Sequence, residues 1–252
     1  MYRSANAGHV GSALSCAELM SVAFCSWMAA EDEFVLSKGH AAAVLYSCLA
    51  EVGKIAPAEC ETFYKDGTLL SAHPPAGKLP GVAFATGSLG HGLSLAAGLA
   101  LGNRLHGKAA RVFCLCSDGE LNEGSTWEAL LFAAHHRLTN LVCLVDRNQI
   151  QGFGRTENVM RLEPLAPKLA AFGWNVQEVD GHSLPELLRL RATLNGPARP
   201  AAPQIILANT QKGRGMGKLE NTVDCHYLPL TEEVYAELLK GIEAEAGEFQ
   251  RA

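Results

Sequence analysis

The segment from Arg111 to Gly154 constrains the fold more than any other part of this 252-residue sequence. Two apolar runs of strand length flank an amphipathic run of helix length; in chain order the three runs are Val112 to Cys116, Gly124 to His136 and Leu141 to Val145. The first strand stops at an acidic turn that contains Asp118, and the second stops at a polar turn that contains Asn148. This order predicts a strand–helix–strand unit with parallel strands. Ligands bind outside the carboxyl ends of parallel strands, so Asp118 and Asn148 should share one site.

The residue types at these two turns suit a divalent cation that bridges phosphate groups. Asp118 offers a carboxylate, Asn148 offers an amide oxygen, and the backbone carbonyl of Ile150 lies shortly after them. Oxygen ligands in small number are typical of Mg²⁺ or Ca²⁺ sites that phosphates and water complete. A helix that begins near Glu123 would direct free N–H groups towards the same place, and Gly119 would let a phosphate approach closely. The alternative is that Asp118 only caps a helix and Asn148 is only a turn residue, and this stretch leaves both interpretations open.

The rest of the chain extends this unit into a larger sheet. Apolar runs of strand length recur near 33–36, 174–179 and 204–209, and runs of helix length occur at 41–51, 57–64, 92–105, 164–172, 185–194 and 230–248. A polar segment at 155–163 and a turn-rich connector at 196–203 interrupt the pattern. Because strands alternate with helices and no linker divides the chain, we predict a single α/β domain whose doubly wound, mostly parallel sheet is flanked by helices.

Three stretches that are rich in glycine or flanked by it each present a histidine: His9, His40 and His73. The third of them, residues 71–92, combines prolines with glycines and is long for a compact domain, which is typical of a functional loop. Ser15, followed by Glu18, predicts a capping box for a helix over 17–28. A loop such as the one that holds His9 normally packs against a preceding helix, so we expect a further N-terminal segment.

Composition excludes several other classes of protein. A hydrophobic fraction of 48% with 19% charged residues is typical of a globular chain, and a formal net charge of −5 gives no support to a nucleic-acid-binding surface. No apolar run approaches the ~18 residues that a membrane span requires, and the N-terminus does not resemble a signal peptide. The eight cysteines include no CxxC pair. We therefore expect reduced, buried thiols in a cytoplasmic protein rather than a zinc site or a membrane partner.

Five stretches, in matching order along the chain, resemble transketolases. SDGELNEG followed by DRNQIQ is similar to the thiamine diphosphate motif, in which GDG precedes an Asn at about this spacing. The other stretches are GHVGSALS at 8–15, FVLSKGHA at 34–41, SAHPP to TGSLGHGLS within 71–94, and QKGRGM to CH within 211–226. The combination favours transketolase over the first component of the 2-oxo-acid dehydrogenases, which shares the GDG and Asn elements. The resemblance covers essentially the whole chain and implies the thiamine-diphosphate-binding fold over residues 1–252.

The resemblance also implies a role for each matching residue. Asp118, Asn148 and the Ile150 carbonyl would hold Mg²⁺, with Ca²⁺ and Mn²⁺ as alternatives. The residues that would contact thiamine diphosphate are His40, Gly87, Ser88, Leu89, Asp118, Gly119, Glu120, Asn148 and His226. The catalytic residues would be His9, His40 and His73, which line the substrate channel, and Glu123 and Glu128, which communicate with a catalytic glutamate on a partner.

Only the diphosphate-binding half of a transketolase is matched, since the pyrimidine-binding and C-terminal domains do not follow within the sequence. The resemblance therefore implies a split enzyme of the pentose phosphate pathway: a heterotetramer of two copies of this chain and two of a partner that carries the pyrimidine-binding domain. It would transfer a two-carbon ketol unit between sugars or sugar phosphates. The alternatives are the diphosphate-binding subunit of another thiamine diphosphate enzyme, of the synthase or 2-oxo-acid dehydrogenase type, and a non-catalytic scaffold that keeps the fold.

The chain departs from the family pattern at several places. Ser117 replaces the first glycine of GDG, and Tyr227 follows His226 where the family has glycine. The segment between Met28 and Glu33 is shorter than in the family. The remaining histidines that we interpret as surface or core residues are His135, His136 and His182, and His91 stands where the family often has Gln.

Overall fold

Five parallel strands form the central sheet of the computed structural model, which describes residues 1–196 and 201–249. In spatial order they are β1 (Glu33–Leu36), β2 (Val112–Ser117), β3 (Leu141–Arg147), β7 (Gln204–Asn209) and β6 (Asn175–Asp180). A small antiparallel hairpin of β4 (Ile150–Gln151) and β5 (Gly154–Arg155) follows β3. The predicted fold class, a mostly parallel sheet flanked by helices, is confirmed. The hairpin is too short for an alternating pattern to indicate it. Residues 197–200 of the predicted connector lie outside the described residues.

Helices connect the strands on both sides of the sheet. In chain order they are α1 (Tyr2–Ala5), α2 (Val10–Leu14), α3 (Ala17–Val22), α4 (Ala42–Glu51), α5 (Gly92–Leu105), α6 (Gly124–His135), α7 (Thr156–Val159), α8 (Leu165–Ala171), α9 (Leu184–Asn195), α10 (Asp224–Tyr227) and α11 (Glu232–Phe249). Short 3₁₀ turns occur at Gly39–Ala41, Pro57–Thr62, Gly119–Asn122 and Gly217–Leu219, and a π-helical turn spans Ala23–Trp27. None of the helices within residues 1–196 and 201–249 is both long enough and apolar enough to span a membrane.

Two hydrophobic cores, one on each face of the sheet, explain why the strands read as unbroken apolar runs. Along β2, Phe113 and Leu115 belong to one core, whereas Cys114 and Cys116 belong to the other. All four side chains are at most 1% exposed. A strand that is buried on both faces has no polar side to alternate with, which is typical of parallel sheets. Six of the eight cysteines are buried free thiols, as the sequence predicts, whereas Cys25 is exposed and Cys60 is partly buried.

The N-terminal region differs from its prediction. The helix expected over 17–28 is divided into α3 and the π-helical turn that follows it. The capping box between Ser15 and Glu18 is wrong, because the Ser15 hydroxyl donates instead to the Asp146 carboxylate at 2.5 Å and to the Ser12 carbonyl at 3.2 Å. Ser15 is fully buried, so a partner inside the protein outweighs a local cap.

A buried ion pair lies at the amino end of the sheet. Arg111, directly before β2, bonds the Asp32 carboxylate through Nε at 3.1 Å and Nη2 at 2.5 Å. Its other N–H groups donate to the carbonyls of Trp27 and Leu194 and to the Asn195 side chain. This pair joins the segment before β1 to β2 and to the end of α9.

Candidate active site

A cavity of about 260 Å³ opens at the carboxyl edge of the sheet. Its wall is built from residues of separate loops: His9, His40, His73, Gly87, Leu89, Ser117, Gly119, Ile150, Gln151, Gly152, Phe153, Lys212, His226 and Tyr227. The ring of His9 lies 5.0 Å from that of His226, 5.5 Å from that of His40 and 6.4 Å from that of His73, measured between centroids. Four histidines that are far apart in sequence thus surround one space.

Backbone geometry holds these histidines in place. His9 precedes α2 with φ 67°, a left-handed conformation, and its N–H donates to the His226 carbonyl at 2.9 Å. A Cβ on Gly39, next to His40, would stand 2.6 Å from the backbone of Thr86. A Cβ on Gly87 would stand 2.6 Å from the His73 ring. Glycine at these two positions therefore lets the loops of His40 and His73 pack against residues 86–87.

Burial keeps the histidine rings neutral near pH 7. Burial, with the positive charge of Lys212 nearby, lowers the pKa of His226 to about 3. Burial, reinforced by Lys38 and Lys212, lowers the pKa of His40 well below its usual value. Burial also lowers the pKa values of His9 and His73. Neutral imidazoles can both accept and donate a proton, which suits them to general acid–base catalysis.

Asp118 follows β2 and lies against the loop of Asn148, as the sequence predicts. Its carboxylate accepts from the Gly119 N–H at 2.8 Å, from the Gln149 N–H at 2.8 Å and from the Thr156 hydroxyl at 3.1 Å. Burial, with the Asp146 carboxylate nearby, raises the pKa of Asp118 to about 6. Asp118 is 3% exposed. A cation would therefore stabilise its charged form more strongly than it would stabilise a carboxylate that water already solvates.

Asn148 presents its amide group in a fixed orientation. The amide nitrogen donates to the Asp146 carboxylate at 3.0 Å, and the amide oxygen accepts from the Ile150 N–H at 3.1 Å. Asp118 also caps the 3₁₀ turn that begins at Gly119. The two interpretations that the sequence left open are therefore compatible, since both residues form local turns and lie together at one site.

The centre of this polar region is Asp146, which sequence reasoning passed over as a strand end. Its carboxylate accepts hydrogen bonds from the side chains of Ser15, Lys38, Asn148 and Thr210. Lys38 and Asp146 are both completely buried. Burial raises the pKa of Asp146, but the Lys38 charge and the hydrogen bonds outweigh it, so the pKa lies below its usual range. The sequence signal was present: a lysine in a glycine-flanked turn and an acidic residue at the end of an apolar strand.

Lys212 is the second functional candidate that sequence reasoning missed. It is 3% exposed and lines the cavity together with His9, His40 and His226. Burial, with the Lys38 charge nearby, lowers the pKa of Lys212 to about 8. A buried ammonium beside a cavity of neutral histidines favours an anion in that cavity. Its signal in the sequence is the QKGRGM stretch, which resembles the family pattern, but no role was assigned to the lysine within it.

The other predicted site residues occupy different positions. Gly87 and Leu89 line the cavity, whereas Ser88 is exposed. Glu120 is fully buried beneath the loop: its carboxylate accepts from the Gly90 N–H at 2.8 Å and from the Ser37 hydroxyl. Burial raises the pKa of Glu120 to about 8.

Glu123 and Glu128 are exposed on or next to the first turns of α6, and neither lines the cavity. At the carboxyl end of β2, the cavity wall contains Ser117 and Gly119 rather than the first turn of α6. The expectation that this helix directs its N–H groups into the site therefore finds no support in the residues that line the cavity.

The donor set at this edge fits a diphosphate held through a hard cation. Asp118 offers a carboxylate and Asn148 an amide oxygen, and the hydrogen bond from the Gln149 N–H to Asp118 holds their two loops together. Ile150, two residues after Asn148, lines the cavity. Lys212 supplies positive charge for phosphate oxygens, and Gly87 and Gly119, which have no side chains, leave room for them. In the part of the chain that the structure describes, no cluster of His, Cys, Asp and Glu side chains forms a metal site of its own. A cation here would thus depend on the single Asp118 carboxylate together with amide, backbone and phosphate oxygens.

Comparison with known proteins agrees with this geometry. Residues 1–246 match the family described as "Transketolase, thiamine diphosphate binding domain". The chain belongs to the transketolase family. An apulose-4-phosphate transketolase subunit of Phocaeicola vulgatus is 33% identical over 247 residues, covering 94% of this chain and 87% of the relative. The 6-deoxy-6-sulfo-D-fructose transketolase subunit SqwG of Clostridium sp. is 35% identical over 247 residues, covering 94% and 89%.

Solved transketolases share the fold. The crystal structure of transketolase from Campylobacter jejuni aligns with a TM-score of 0.86 and 29% sequence identity. The alignment covers 94% of this chain but only 39% of that one. This chain therefore matches the thiamine diphosphate-binding part of a longer transketolase, and it matches the split subunits along most of their length.

Proposed function

We propose that this chain is the diphosphate-binding subunit of a split transketolase, with residues 1–252 as one domain. The enzyme transfers a two-carbon ketol unit from a ketose or ketose phosphate to an aldose or aldose phosphate. The observation that carries this proposal is the cavity itself, where neutral histidines and a buried lysine surround a space beside Asp118 and Asn148. The relatives named for apulose 4-phosphate and sulfofructose act on different sugars, so the substrate class is broader than the pentose phosphates.

In this proposal the chain binds thiamine diphosphate through Mg²⁺, with Ca²⁺ or Mn²⁺ as substitutes. Asp118, Asn148 and the Ile150 carbonyl hold the cation. Lys212 and His226 face the diphosphate, together with the backbone of residues 87–89 and Gly119. When bound, the cofactor supplies the carbon nucleophile that accepts the ketol unit.

The histidines of the cavity handle substrate protons. His9, His40 and His73 are neutral at pH 7, so each can hydrogen-bond the ketose hydroxyl and carbonyl groups and exchange a proton with them. During transfer, the C2–C3 bond of the donor breaks, and a new carbon–carbon bond forms to the aldehyde carbon of the acceptor. The proton that the donor C3 hydroxyl loses is returned to the new hydroxyl of the product, so no net proton is consumed.

A partner chain completes the site in this proposal. The relatives are named as transketolase subunits, and the Campylobacter enzyme is a longer chain of which this one spans 39%. Glu123 and Glu128 are exposed on and beside α6, where a partner glutamate can reach them. We infer a cytoplasmic heterotetramer of two copies of each subunit, whose partner brings the pyrimidine-binding domain.

Reconstitution tests the proposal. This chain, mixed with its partner, Mg²⁺ and thiamine diphosphate, should transfer a ketol unit from a ketose to an aldehyde. His73→Ala and Asp118→Ala should each lower the rate at least about a hundredfold, since one loses a proton-transfer group and the other a cation ligand. The exposed His106→Ala variant, at the end of α5, is the matched control and should retain activity. Unchanged activity in the first two variants, or decarboxylation of 2-oxo acids in place of ketol transfer, would contradict the assignment.

A further inference from the structure

Tyr227 extends across the mouth of the histidine cavity. Its ring lies 4.7 Å from the His226 ring, between centroids, and the residue is part of the cavity wall. The phenol hydroxyl donates to the Gly152 carbonyl at 3.1 Å, although the two residues are 75 positions apart. Tyr227 is 52% exposed, so the residue contacts solvent as well as the cavity that it lines. The side chain therefore joins α10 to the β4–β5 hairpin at the entrance.

Two glycines make room for this arrangement. A Cβ on Gly152 would stand 2.5 Å from the phenol oxygen, so a larger residue would displace the hydroxyl. A Cβ on Gly8, next to His9, would collide with the Tyr227 carbonyl. The side chain of Tyr227 is thus held at its hydroxyl end by the hairpin, and its backbone packs against the loop of His9. A residue fixed at both ends is a wall rather than a freely rotating surface side chain.

We propose that Tyr227 is a specificity-determining residue that limits the length of the aldehyde fragment, an inference that rests on the proposed ketol transfer. Lys212 is a buried part of the cavity wall, whereas Tyr227 and Phe153 are exposed parts of it. The bond broken in the donor and the bond formed with the acceptor join the same two types of carbon. Both aldehyde fragments therefore occupy the same place, and the carbon chain beyond the aldehyde extends towards the mouth, where the phenol ring restricts it.

Relative rates with aldehydes of increasing length test this role in the assembled enzyme. With one donor, kcat/KM is measured for glycolaldehyde, D-erythrose and D-ribose, and the ratio of ribose to glycolaldehyde is compared between variants. Tyr227→Ala should raise this ratio by about tenfold or more, because removing a pocket wall changes discrimination on that scale. Tyr227→Phe keeps the ring but loses the bond to Gly152, so it should raise the ratio by less than about threefold.

Tyr64→Asn is the matched control, because Tyr64 is 57% exposed, lies outside the cavity and has φ 59°, which asparagine tolerates. Its ratio should equal that of the native chain. The ratio cancels any loss of folded protein, since all acceptors are measured on the same preparation. A ratio within twofold of the native value in Tyr227→Ala overturns the inference, as does a uniform loss of activity with every acceptor. A native enzyme without activity on any of these aldehydes would instead contradict the proposed function.

Discussion

The two edges of the sheet each hold a buried ion pair, and the pairs have different surroundings. At the amino edge, the Arg111 guanidinium bonds Asp32, and its remaining N–H groups reach the carbonyls of Trp27 and Leu194 and the side chain of Asn195. At the carboxyl edge, the Lys38 ammonium bonds Asp146, whose carboxylate also holds Ser15, Asn148 and Thr210. The first pair has only structural partners, whereas the second fixes an amide beside the cavity.

This difference shows that one end of the sheet is internally satisfied, whereas the other holds buried charges at the candidate site. Arg111 donates in several directions to acceptors that the fold already contains, so the charge of this pair is satisfied within the protein. The carboxyl edge retains groups whose charge the protein alone does not balance well, since burial raises the pKa of Asp118 and lowers that of Lys212. Such displaced pKa values are typical of sites that a charged ligand completes.

The largest effect should follow from Asp146→Ala. It leaves the Lys38 ammonium buried without its counter-charge and removes the acceptor of the Asn148 amide. Breaking a buried pair on one side costs about 3–5 kcal/mol, and we expect the upper end of that range in the free energy of unfolding measured in urea. The affinity of the assembled enzyme for thiamine diphosphate, measured by calorimetry with Mg²⁺, should fall as well, because Asn148 loses its orientation.

Asp32→Ala provides the matched comparison at the other edge. The free energy of unfolding should fall by about 3 kcal/mol, the lower end of the same range, because Arg111 keeps its bonds to Trp27, Leu194 and Asn195. Cofactor affinity per folded molecule should stay at the native value. If Asp32→Ala weakened the cofactor as much as Asp146→Ala does, the separation of the two edges into structural and functional parts would be wrong.

Lys212→Met should have an intermediate effect, which concerns the affinity for thiamine diphosphate rather than the free energy of unfolding. Charge-assisted hydrogen bonds are worth about 1.5–3 kcal/mol, so the affinity for thiamine diphosphate should fall about 10- to 150-fold. In the native chain, Lys212 loses its charge as pH rises through about 8, and affinity should decline over that interval. The variant should lack this alkaline decline. Binding titrations at pH 7 and pH 9 measure both effects.

Lys218→Met is the control for that prediction, because Lys218 is exposed in the 3₁₀ turn after the Lys212 loop. It should bind the cofactor as the native chain does and keep the alkaline decline. Equal affinity in Lys212→Met and the native chain would show that the buried ammonium does not contact the diphosphate.

The sequence predicted most of the fold because parallel strands buried on both faces read as plain apolar runs. Helix α5 was predicted with both of its ends, Gly92 and Leu105, and strand β7 with both of its ends as well. The β4–β5 hairpin could not be predicted, since two-residue strands carry no periodicity. The capping role of Ser15 was wrong, because local spacing contains no information about a carboxylate 131 residues away.

The candidate site was predicted in part for a similar reason. Asp118 and Asn148 end neighbouring strands, so topology alone brings them together. The histidines were placed through a resemblance of short motifs, and the structure brings His9, His40, His73 and His226 to one cavity. Lys38 and Lys212 were missed because a buried lysine is exceptional, and only the three-dimensional contacts reveal its partners.

The smallest effect concerns the response of the fold to acid, and it depends on His226. Burial lowers the pKa of His226 to about 3, whereas an unfolded histidine titrates near 6.5. A proton therefore binds the unfolded chain more readily, and stability that is present above pH 6.5 is lost as pH falls below it. His226→Gln should reduce this loss between pH 6.5 and pH 4.5 without a comparable change at pH 7.5. Urea unfolding at these three values measures the difference.

His106→Gln, an exposed replacement at the end of α5, is the control and should follow the native pH dependence. An unaltered acid response in His226→Gln would mean that the cavity admits enough water to solvate the protonated ring. The pKa of His226 would then lie nearer its ordinary value than its burial indicates.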